Sequence, residues 1–239
     1  MIDTKAKMAA CAVLIFSFIL FASCGANIEG SLAADGSASL TLNVSLMQRI
    51  TAMIRSISAA GGQDNQNVID AAAIARSMSG AAGINSVALR NTSASAIAGQ
   101  IRISNINEFL SAADGKKFIV FEHGQGRGRI EINIDRNSGP AVLEMLSPEI
   151  SDYLNALMAP IATGEELTKA EYLELVAGFY NKAISDEIAA SRIRASIDFP
   201  GAVRSARGGT FSGRRVVFDI PLIDLLVLEV PVRYEVIWN

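Results

Sequence analysis

Few residues in this 239-residue chain carry side chains suited to bond-making chemistry. There is one histidine, His123, and there are two cysteines, Cys11 and Cys24. With Cys11 in the leader and Cys24 acylated, as read below, no free cysteine is left to pair with the histidine and there is no His-rich set of the kind a metal needs, so neither metal nor cofactor is expected. His123 stands in "FEHGQGRGRIE", where Gly124, Gly126 and Gly128 have the spacing of a nucleotide-binding loop. Such a loop leads from a strand into a helix whose N-terminus meets phosphate. Here the next residues, "RIEINID" from Arg129, read as a strand, so the glycines read as a hairpin turn. No Gly-x-Ser-x-Gly elbow occurs. The acidic residues of "GEELTKAEYLEL" read as the solvated face of a capped helix. The chain is therefore expected not to be an enzyme.

Arginines are the more suggestive chemistry. Arg127, Arg129 and Arg136 border one loop region, and Arg204, Arg207, Arg214 and Arg215 border "PGAVRSARGGTFSGRR". A guanidinium fork matches phosphate oxygens. Arg127, Arg129, Arg204, Arg207, Arg214 and Arg215 are thus candidates for contacting anionic headgroups. The competing reading is solubilising charge on exposed turns, the commoner role of such clusters.

Cys24 closes the stretch "AVLIFSFILFASC" that begins at Ala12. Lys5 and Lys7 precede an uncharged run from Met8 to Ser23. A spanning helix needs roughly 20 apolar residues, and this run is shorter and ends in small residues. Those are the marks of a secretory signal peptide. "FASC" resembles a relaxed bacterial lipobox, with Phe21 where Leu is commonest and Ser23 where Gly or Ala is commonest. The alternatives are an ordinary signal peptide cut elsewhere and an uncut span. Cys11 lies in the segment to be removed, which leaves Cys24 alone at the mature start. A single leftover cysteine in an exported protein asks for an explanation, and acylation supplies one. Two or three acyl chains anchor firmly where one anchors marginally.

The expected organisation is a signal peptide over residues 1–23 and one domain over 24–239. Loss of Lys5, Lys7 and Asp3 with the leader takes the net charge from −3 to −4. A nucleic-acid partner would call for a basic excess, so none is expected. "IPLIDLLVLEVPV" from Ile220 holds Asp224, Glu229 and two prolines; it is too short to span and reads as core.

The elements that must hold these residues follow from period. Leu40, Leu42, Val44 and Leu46 alternate with polar residues, as do Ile28, Gly30 and Leu32 before them. That is the pattern of strands with one buried face, joined by Asp35-Gly36, a hairpin signal. Helices are expected in "MQRITAMIRSI" from Met47 and in "VIDAAAIARSMSG" from Val68. Between them "AAGGQDNQN" from Ala59 reads as a loop. Strands follow from Ile84, Ala96, Lys116 and Arg129, with a short helix "NEFLSA" from Asn107. A helical insert is expected around 137–191. Ser147-Pro148 opens its first helix, and both "TGEE" from Thr163 and "TKAE" from Thr168 fit a capping box. The second box opens one long helix striped by Leu173, Val176, Tyr180, Ile184 and Ile188. Strands from Arg192, Arg214 and Leu228 close the chain. Helices and strands do not alternate one for one, which predicts an α+β fold with a mainly antiparallel sheet and helices on one face.

The leader, the "ADGSASLTLNVSL" hairpin and the end from Ile197 together resemble the LppM-like bacterial lipoproteins. The positions that carry the resemblance are Asp35-Gly36, Pro200-Gly201-Ala202-Val203 and Gly208-Gly209, about a third of the chain with its surroundings. The helical middle has no counterpart in it. The resemblance implies an envelope-surface domain, one that handles lipid, and no catalytic residues. The expectation is a non-enzymatic protein held in the membrane of the cell envelope, on its periplasmic or surface face, through acylated Cys24. Its partner would be a lipid, an envelope component or a protein. The alternatives are a purely structural surface lipoprotein and an envelope hydrolase with an unrecognised site. An apolar groove between the helical middle and the sheet, near Met145, Leu146, Leu154, Leu157 and Met158, would favour binding, and a filled core would favour the structural role.

Overall fold

The computed structural model of the chain describes residues 25–60, 67–112, 118–124, 127–144 and 148–239. The leader, Cys24, most of the loop from Ala59, and Met145, Leu146 and Ser147 lie outside the described residues.

Strand β1 (Gly25–Leu32) pairs antiparallel with β2 (Ala38–Ser45). Gly36 adopts φ +83° in the turn, a conformation that costs glycine little. The Asp35 carboxylate accepts hydrogen bonds from the Ser37 hydroxyl and backbone N–H, which hold its pKa below the ordinary value. Thr41 and Asn43 are exposed while Leu40, Leu42 and Val44 are half-buried, the one-sided strand that the alternation predicts.

Helix α1 (Gln48–Ala60) follows, with Ile50 fully buried. Helix α2 (Ala71–Met78) is capped by Asp70, which accepts from the N–H groups of Ala72 and Ala73. Strands β3 (Ile84–Ser93) and β4 (Ala96–Ile103), helix α3 (Ile106–Ala112), and the hairpin β5 (Ile119–Gly124) and β6 (Arg127–Ile134) come next. The helical middle comprises α4 (Gly139–Glu144), α5 (Pro148–Ala156), α6 (Pro160–Thr163), α7 (Lys169–Phe179) and α8 (Lys182–Ala190). The chain then forms β7 (Arg192–Asp198), β8 (Val203–Arg207), β9 (Gly209–Ser212), β10 (Arg215–Pro221), α9 (Leu222–Val227) and β11 (Val232–Trp238).

The fold is α+β and mostly antiparallel. Its strands form two sheets rather than one: β3-β4-β2-β1-β7-β10-β9 and β5-β6-β11-β8. One pairing is parallel, β1 with β7, which sets Gly25 opposite Arg192. A parallel neighbour needs a long crossover, and everything from β2 to α8 supplies it.

Two expectations for the helical middle are corrected. Residues 164–168 are irregular, because Gly164 at φ +77° ends α6. "TGEE" therefore caps no helix, while Thr168 and Glu171 do form the second capping box, through Thr168 N–H to Glu171 at 2.8 Å and the reverse bond at 3.2 Å. The long helix is two helices. Tyr180 leaves helical geometry, and Asn181 restarts it by accepting from the Ile184 N–H at 3.0 Å. The predicted stripe still serves a single core. Val176, Ile184 and Ile188 are buried in it, and Leu173 and Tyr180 pack against it. Helix α9, in the segment read as core, buries Ile223, Leu226 and Val227. A second core sits between the sheets around Phe121, Phe199 and Trp238.

Candidate functional site

The structure separates the six candidate arginines by what already holds them. Arg129 pairs with Glu235 at 2.7 Å and also with Glu131. Arg215 forms a two-bond fork with Asp198 at 2.9 and 2.6 Å, which holds the Asp198 carboxyl below its ordinary pKa. Arg214 donates to the Phe199 carbonyl at 2.9 Å. The Arg204 guanidinium faces the Asn239 side-chain amide. Arg127 and Arg207 have no ion-pair partner among the described residues.

Arg127 joins His123, Pro200, Gly201, Trp238 and Asn239 around a hollow of about 270 Å³. The two loop regions singled out in the sequence thus meet there, but only Arg127 of the six lines it. Of the glycines beside His123, Gly128 is explained locally, while Gly126 lies outside the described residues. His123 pairs with Gly128 across the β5–β6 hairpin. A Cβ on Gly128 would stand 2.1 Å from the Trp238 ring, so the glycine admits the indole.

The apolar feature lies elsewhere. At one end of the larger sheet, a cavity of about 240 Å³ opens between the strand ends and the helices. Gly25 and Ala26 of β1, Val44 and Ser45 of β2, and Arg192 and Ile193 of β7 form its sheet side. Tyr153 and Leu154 of α5, Leu222 of α9 and the Val68-Ile69 segment form its helical side. Met47 and Leu154 are buried and Arg192 is exposed, so a charged group stands beside an apolar interior.

Two polar groups around this cavity lack a hydrogen-bond or ion-pair partner among the described residues. The Arg192 guanidinium has neither hydrogen bond nor ion pair among the described residues. The Tyr153 hydroxyl likewise has none, although burial and the nearby negative Glu187 raise its pKa. The other tyrosines of this region differ: Tyr172 donates to the Leu157 carbonyl at 3.0 Å and Tyr180 donates to the Ala156 carbonyl. Tyr153 is itself only partly buried, at the wall of the cavity.

The sequence left open a groove or a filled core near Leu154 and Leu157, and the two residues differ. Leu157 is fully buried and packed in the helical core, and it is not among the residues that line the cavity. Leu154, one turn earlier, reaches both that core and the cavity. None of the six candidate arginines lines the cavity. Arg192, which the sequence reading passed over as a strand's first residue, does. No sequence signal marks it, since its role depends on parallel pairing with Gly25.

Among the described residues no group of three or more His, Cys, Asp and Glu could hold a metal. No described helix is long and apolar enough to cross a membrane.

No protein-family model and no curated protein matches the chain. Among solved structures it is similar to the NMR structure of the folded domain of the Mycobacterium tuberculosis LppM protein, at 9% identity over 90% of this chain and 88% of that one, with a TM-score of 0.40. At that identity and TM-score, no property of that protein is carried to this chain.

Proposed function

We propose that this is a lipid-anchored protein of the bacterial cell envelope, without enzymatic activity, that takes the apolar chain of an anionic amphiphile into the cavity beside Arg192. The observation that carries the reading is the cavity itself: open, apolar, and flanked by a guanidinium and a phenol that make no hydrogen bond among the described residues. Acylated Cys24 would supply the anchor, as the relaxed lipobox suggests.

Size and energy suit one chain segment. Cavities of about 150 Å³ already admit benzene, and this one measures about 240 Å³. At about 30 Å³ per small group, it holds on the order of eight methylenes. Each contributes about 0.8 kcal/mol, for roughly 6 kcal/mol. That gross gain has to offset the cost of association and of ordering the chain, so the net affinity is weaker than the sum alone. A headgroup paired with Arg192 at the exposed rim adds up to about 1 kcal/mol. The test is titration of the full chain with a fluorescent fatty acid, beside its Arg192→Gln variant. Saturable binding that weakens in the variant is the expected result. Absence of saturable binding in the parent overturns the reading.

A further inference from the structure

We infer that the bound chain does not end in the cavity but continues along β1 and β7 over the row Leu42, Ile28 and Ala195, so that the site selects chains of about fourteen to sixteen carbons. The inference rests on the proposed uptake of an apolar chain and adds its path and length.

The row follows from register. Val44, Ala26 and Ile193 line the cavity, and they stand side by side on β2, β1 and β7. Two residues from them on each strand, Leu42, Ile28 and Ala195 stand side by side in turn. Residues two apart on a strand share a face of the sheet, so this row extends the cavity's apolar wall. The three strands are the middle ones of the seven-stranded sheet, where an apolar row is ordinarily best covered. Yet Leu42, Ile28 and Ala195 are only half-buried. None of them belongs to a packed core among the described residues.

The row has two defined ends. Arg192 stands at one, opposite Gly25. At the other, a Cβ on Gly30 would lie 2.6 Å from Leu40 Cδ2 and 2.9 Å from Ile197 Cδ1, so those two side chains close over the glycine. Ile197 in turn packs against the second core. Because β1 and β7 are parallel, both run from the charged end to the closed end. The five residues from Gly25 to Gly30 span about 17 Å. A strand advances three backbone bonds per residue, so an extended chain beside five residues has about fifteen bonds. The cavity covers on the order of eight methylenes by its volume, and the row takes the remaining six or so. A fully covered methylene gains roughly fourfold in affinity, and one covered on a single side about twofold.

The test displaces a fluorescent fatty acid from the full chain with saturated fatty acids of eight to twenty carbons, each kept below its micelle threshold. Affinity should rise at least about tenfold between eight and fourteen carbons, and less than about twofold between sixteen and twenty. A sixteen-carbon acid with a diazirine at its methyl end should crosslink to Ile28, Leu42 or Ala195. The same acid with the diazirine beside its carboxylate should crosslink to Tyr153, Arg192 or Leu222. A plateau reached before fourteen carbons, an affinity that climbs without a break to twenty, or methyl-end crosslinks confined to cavity residues overturns this inference alone. Absence of saturable binding at every length overturns it together with the cavity reading.

Discussion

Two apolar regions meet in helix α5, and they differ in kind. Leu157, Tyr172, Val176 and Ile188 are fully buried, and the Tyr172 hydroxyl is satisfied by the Leu157 carbonyl. Around Leu154, less than one turn away, the strand ends of β1, β2 and β7 leave space unfilled, and the Tyr153 hydroxyl has no partner among the described residues. Tyr153 and Leu154 of α5 thus adjoin both the closed core and the opening. Close packing is the rule for protein interiors, so the closed region supplies stability and the open one is where binding is expected.

The contrast breaks most visibly from the closed side. Tyr172→Ala removes a fully buried ring and the hydrogen bond to Leu157. It should cost about 3–5 kcal/mol in urea unfolding, the usual toll for a buried aromatic. Leu157→Trp should cost about 1–3 kcal/mol by overpacking; a variant as stable as the parent would mean that the core there is not closed. On the open side, Ala26→Leu should shift stability by no more than about 0.5 kcal/mol, because it enters space already present. A clear loss of stability in this variant would show that the wall is packed.

Arg192→Gln sharpens the comparison further. It should leave unfolding unchanged and weaken uptake of an anionic amphiphile by about fivefold, less at high salt, since the group is exposed. The smallest effect concerns pH. Asp198 is held below its ordinary pKa by the Arg215 fork, and Glu171 by its bonds with Thr168. Carboxylates with depressed folded pKa values contribute stability above the unfolded value and lose it as pH falls through the folded one. The urea midpoint should therefore hold from neutral pH down to about 4 and decline below that. Asp198→Asn should flatten part of that decline.

The fold was legible wherever local pattern decides structure. Alternation at Leu40, Leu42 and Val44, the Asp35-Gly36 turn and the Thr168 capping box are each set by neighbours in the chain, and each occurs. The helix break at Tyr180 was not legible, because the apolar stripe continues through it into α8. Neither was the division into two sheets, nor the parallel pairing of β1 with β7, both fixed by contacts remote in sequence. The cavity shares that origin. Its walls come from β1, β2, α5, β7 and α9, and Arg192 is an ordinary strand residue until Gly25 lies beside it. The arginine clusters were conspicuous in the sequence, yet Arg129, Arg214 and Arg215 are engaged within the fold.

The central claim is that the open region takes an apolar chain. Native mass spectrometry of the full chain, purified from bacteria beside Ala26→Leu, tests it most directly. The account predicts a parent carrying one single-chain anionic amphiphile in noncovalent complex, and a variant of equal stability carrying none. A parent that remains empty after incubation with excess fatty acid, or a variant loaded as fully as the parent, would contradict it.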